Sequence, residues 1–103
     1  MSKTIMSIYE NEVVQKELKR LKTLIGTDDG RDVQIDINIL KTALEQLENK
    51  LLLGNEEFTN INCNMWLECH DSLDRILEDI GLTVDTEKSE FEYHKWHVIK
   101  KTN

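Results

Sequence analysis

The sequence predicts a mainly α fold: a small three-helix bundle, with the tail forming a short C-terminal β-hairpin. Three observations point there. Proline is absent and glycine occurs only four times in 103 residues, too few turn formers for an all-β chain. Three segments carry apolar residues at helical spacing. The length suits one domain, so residues 1–103 are expected to form a single helical unit around a modest core.

In the first segment Val14, Leu18, Leu21 and Ile25 form one stripe, which Tyr9 and Val13 extend backward by a turn. Gly26 follows as a C-terminal cap, and Thr27-Asp28-Asp29-Gly30 reads as a tight turn. The second segment is the clearest. Val33, Ile37, Leu40, Leu44, Leu47 and Leu51 alternate spacings of four and three, with Asp32 as N-cap and Gly54-Asn55 at the far end. Val33, Ile35, Ile37 and Ile39 also alternate with period two, so residues 33–39 read equally as a strand entering a shorter helix. The third segment begins near Asn62 or Asn64 and ends at Gly81. Its stripe is Trp66, His70, Leu73, Leu77 and Ile80, widened by Leu67 and Ile76.

The tail is rich in strand formers from Phe91 to Ile99, although Ser89 and Glu92 also match a helical capping box. Its apolar residues would cover more than half a helix circumference. That is a poor amphipathic face, so a hairpin is the better reading of residues 82–101, with a helix as the alternative.

Charge is the most informative feature. The chain carries 13 basic and 20 acidic residues, for a net −7. Residues 56–81 hold seven acids against Arg75 alone. Such a balance disfavours direct nucleic-acid binding, which needs a basic patch for phosphates. Glu68, Asp71, Asp74, Glu78 and Asp79 lie largely opposite the apolar stripe of the third helix. They read either as a solvated polar face or as a docking surface for a basic protein partner. A special case is mimicry of nucleic acid, with carboxylates standing where phosphates would be in the channel of a nucleic-acid-binding enzyme. Small acidic phage inhibitors of restriction and CRISPR enzymes work this way, and this chain shares their size and charge but no motif. The functional expectation is an acidic regulator or inhibitor acting by protein–protein interaction. Its alternative is a self-associating structural module, a homodimer joined through the leucine stripe of the second helix.

Other chemistries find little footing. Cys63 and Cys69 are six apart and match no structural zinc spacing, even with His70, His94 and His97 nearby. No metal or cofactor is expected, and both thiols are expected to be free in a reducing, cytoplasmic setting. Asp28-Asp29-Gly30-x-Asp32 lacks the first ligand of a calcium loop. No nucleophile elbow or glycine-rich phosphate loop occurs, so no catalytic residue is assigned and the chain is read as a non-enzyme. The longest apolar runs fall short of both a signal peptide and a membrane span.

The second-helix stripe makes a direct prediction. Leu44→Ala or Leu47→Ala should each lower unfolding stability by about 2–5 kcal/mol in chemical denaturation, as cavity-forming changes in a core do.

Overall fold

A computed structural model describes residues 7–24 and 33–101. Helix α1 spans Glu12–Thr23, α2 Val33–Leu47 and α3 Leu67–Ile80. Strands β1 (Phe58–Asn62), β2 (Leu82–Val84) and β3 (Lys95–Lys100) form one antiparallel sheet in the order β1-β3-β2.

The bundle expectation is thus corrected. Three α-helices are present among the described residues, but the sheet they share makes the fold mixed α/β. The expected tail pair does form, with Thr83 opposite Ile99. It is no isolated hairpin, because β3 also takes β1 along its other side, Ile61 opposite Trp96 and Thr59 opposite Val98. The physical reason is a segment assigned to the start of the third helix. Thr59, Ile61 and Cys63 are buried in alternation with exposed Asn60, Asn62 and Asn64, which is strand periodicity. Consequently α3 starts at Leu67 and not at Asn62 or Asn64. Trp66 holds the N-cap position with no side-chain cap. Leu67, counted on the stripe, is 72% exposed, and Cys69, Ser72, Leu73, Ile76 and Leu77 form the buried face.

Elsewhere local signals match their elements. Residues 33–39 are helical, so tertiary burial overrides their β-branched alternation. Val33, Ile37, Leu40, Leu44, Leu47 and Leu51 are all fully or nearly fully buried. Asn11 caps α1, its Oδ1 accepting from Val13 N at 2.8 Å and Val14 N at 3.1 Å. Ser7 and Glu10 form a capping box on the 3-10 turn before it. Gly81 ends α3 at φ 80°, the left-handed position expected of it. Ile25, Gly26, the 27–30 turn and the Asp32 cap lie outside the described residues.

The helices cover one face of the sheet. Ile61, Trp96, Val98 and Leu82 point inward onto the core of α2 and α3. On the outer face, Phe58 stacks on His97 with ring centroids 4.5 Å apart. No helix among the described residues is long and apolar enough to cross a membrane.

Helix α2 runs on through a π-helical turn at Glu48–Leu52, and the chain then passes Gly54 close to its own backbone. A Cβ at Gly54 would sit 2.5 Å from Asn49 O and 2.8 Å from Lys50 O. Gly54→Ala should therefore cost about 1–3 kcal/mol by overpacking, measurable as a lower denaturation midpoint, whereas Gly81, with open space around it, offers no such contact.

Candidate functional site

The candidate site is the exposed side of α3, and its electrostatics are set by a charge network at the α1–α3 contact. Glu17 is 4% exposed, an unusual place for a carboxylate. Its Oε1 accepts from Ser72 Oγ at 2.8 Å and from Arg20 Nε at 3.1 Å, while Oε2 accepts from Arg75 Nε at 2.8 Å. Burial pushes this carboxyl upward, but the hydrogen bonds from Arg75, Ser72 and Arg20 outweigh it and hold it at about 2. Arg20 continues the chain, its two terminal nitrogens donating to Glu68 Oε1 at 2.8 Å and to Ser72 Oγ at 2.9 Å.

This network divides the five acidic residues singled out in the sequence. Glu68 is half-buried and turned toward Arg20. Asp79 Oδ2 accepts from Asn11 Nδ2 at 2.9 Å, tying the last turn of α3 to the cap of α1. Asp71, Asp74 and Glu78 are exposed, spaced three and four apart along one line of the helix. Asp71 and Asp74 have no hydrogen-bonding partner among the described residues. Glu78 has only Lys101, at 3.7 Å and in open solvent. The Asp74 carboxyl is shifted upward, first by partial burial and then by the charge of Asp71. Arg75 lies within the same stretch of α3, but its guanidinium is turned to Glu17.

Shallow grooves flank this line. One, between α1 and α3, is bordered by Val13, Lys16, Arg75 and Glu78. The other, of about 200 Å³, lies between α3 and β2, with Leu77, Leu82 and Val84 beneath Asp74 and Glu78. The aliphatic floor and carboxylate rim of this second groove suit the stem and head of a lysine or arginine, whereas Lys16 and Arg75 on the first oppose a cation there.

The remaining titratable groups have structural roles. His70 Nε2 donates to Cys63 O at 2.7 Å, and its ring tilts against Trp96 with centroids 5.3 Å apart. His97 Nδ1 pairs with Asn60 Oδ1 at 2.9 Å. Cys63 and Cys69 are free thiols buried in the core, and burial pushes Cys63 up to about 12, far from a reactive thiolate. Among the described residues no group of three or more His, Cys, Asp or Glu is placed to hold a metal. Sequence reasoning missed Asn11, Glu17 and Ser72. Glu17 does carry a positional signal, standing three residues after Val14 and four before Leu21 at the edge of the apolar stripe, but its charge makes it read as surface.

Compared with known proteins, the chain matches no family model, and no curated protein or solved structure shows significant similarity to it.

The Glu17 network makes its own pH prediction. With a folded value near 2 against the ordinary 4.5, Glu17 stabilises the fold fully above about pH 4.5. That contribution falls as the pH drops toward 2 and is gone below it. Glu17→Ala should cost about 3 kcal/mol near neutral pH, because it strands Arg20 and Ser72 at the interface. The stability difference between the two proteins should shrink steadily between pH 4.5 and 2 in urea titrations.

Proposed function

We propose that this chain acts by binding a basic protein surface through the line Asp71, Asp74 and Glu78 on α3, as a regulator or inhibitor of that partner. What carries this reading is a run of exposed carboxylates. Arg20 and Arg75 direct their hydrogen bonds to Glu17, Glu68 and Ser72, while Asp71, Asp74 and Glu78 face solvent, Glu78 with Lys101 at 3.7 Å. Like charges at these spacings repel by a few tenths of a kcal/mol per pair, and the Asp74 carboxyl is raised by its partial burial first and by the charge of Asp71 second. A cationic partner relieves the repulsion, and the field of the acidic helix speeds its approach. The partner class that fits is a protein whose own basic surface contacts nucleic acid, with the carboxylates in place of phosphates. Glu68 and Asp79 then act as supports, locked to α1.

The self-association alternative has less behind it, since the α2 stripe that suggested it packs within the core of one chain.

Asp71→Lys with Glu78→Lys should leave stability within about 0.5 kcal/mol, since both side chains are exposed. The same pair should abolish capture of partners recovered by the unmodified protein from its native host, with the loss in association rate largest at low salt. Glu87→Lys with Glu90→Lys, an equal change of charge at exposed sites off the helix, should leave capture intact. Equal losses from both pairs would show that only bulk charge matters. No loss from either would end the acidic-helix reading.

A further inference from the structure

Strand β1 lies at one edge of the sheet, with no further strand along its outer side among the described residues. Cys63 N donates to His94 O at 2.7 Å, which fixes the phase of the β1–β3 ladder. By alternation Thr59 and Ile61 direct their main-chain groups at β3, and Phe58, Asn60 and Asn62 direct theirs away from it. Gln46 of α2 confirms the phase, its Nε2 donating to Asn60 O at 2.8 Å from outside the sheet. A side-chain amide thus holds the position that the backbone N–H of a further strand would take.

A groove follows this edge. One stretch, of about 320 Å³, lies against α2, where Ile35, Ile39, Thr42 and Gln46 face Asn62. Ile35 is 55% exposed there. A second stretch, of about 380 Å³, shares Gln46 and Asn62 and continues past Asn60 to Tyr93, His94 and Lys95. No described residue lining either stretch is acidic, although the chain carries 20 acidic residues. Lys95 supplies the charge at the end of the groove, joined to Glu90 by backbone hydrogen bonds.

We propose that this groove receives an extended peptide segment of a partner protein, added to β1 as a fourth strand, with apolar side chains at alternate positions and acidic residues flanking them. Each element of the groove selects one property of that occupant. The outward main-chain groups of Phe58 and Asn62 call for a strand, which would also take over Asn60 O from Gln46, because strand addition satisfies alternate N–H and C=O groups along the edge. The Ile35 and Ile39 side of the groove takes every second side chain of such a strand. Lys95, the charged residue among those lining the groove, favours carboxylates on the incoming segment over lysines. Gln46 holds the edge closed to indiscriminate pairing until a strand displaces its carboxamide. The inference stands apart from the acidic-helix reading, since it uses a different surface and a partner of opposite charge.

The test uses the full chain and a synthetic eight-residue peptide alternating valine with threonine and flanked by aspartates, with a lysine-flanked version as control. Binding of the aspartate-flanked peptide should slow amide exchange at Phe58, Asn60 and Asn62. Asn62→Pro removes one outward N–H at an edge position that tolerates proline, and it should weaken binding about tenfold, the worth of one or two lost backbone hydrogen bonds. Lys95→Glu, an exposed change that leaves the edge intact, should reverse the preference between the two peptides. The proposal is overturned if the aspartate-flanked peptide fails to bind the unmodified chain at about 1 mM. It is equally overturned if exchange slows elsewhere but not on β1, if the lysine-flanked peptide binds as well, or if Asn62→Pro folds and binds undiminished.

Discussion

Burying one carboxylate at the α1–α3 contact imposes an order on much of this molecule. A charge in so dry a place is tolerated only when it is paired and hydrogen-bonded. Glu17 meets that requirement by drawing Arg20 from its own helix and Ser72 and Arg75 from α3 into one cluster. Because each partner has a fixed hydrogen-bond direction, the cluster sets the rotation of α3 against α1. That rotation in turn decides which face of α3 packs on the core and which faces water. Asn11 repeats the device at the other end of the contact, capping α1 with its oxygen and holding Asp79 with its nitrogen.

The same cluster shapes the charge on the exposed side of α3. A surface helix ordinarily softens its charge with cations three or four residues away. Arg75 stands at those spacings from Asp71 and Glu78, but it directs its hydrogen bonds to Glu17. On the sheet side, β3 sits between β1 and β2 and is paired along both edges, while on the outer side of β1 Gln46 donates to Asn60 O. The acidic line and the strand edge lie on different elements.

The sequence was most legible where periodicity ran long. The α2 stripe is buried as its spacing requires, and Gly81 stops α3 in the left-handed conformation that glycine favours. The five acids of α3 were identified, but their division into locked and free members was not. Glu68 and Asp79 meet partners 48 and 68 residues away along the chain. No local pattern announces a contact at that separation. Residues 58–64 failed for another reason. Their alternation is real, but its polar half is asparagine, which strands disfavour, and Asn62 and Asn64 also imitate helix caps.

Local chemistry alone, then, determined the helices α1 and α2, the C-terminal stop of α3, the strand character of the tail and the concentration of negative charge on α3. These depend on neighbours within a few residues, where propensity, capping and amphipathic spacing act. Only the tertiary structure decided that β1 joins β3, turning an expected bundle into a mixed fold, and that Glu17 is a core residue. It also decided which carboxylates of α3 are held by other side chains and which face solvent. Strand pairing and buried ion networks draw their energy from groups far apart in the chain, so their outcome is fixed only when the whole core closes around them.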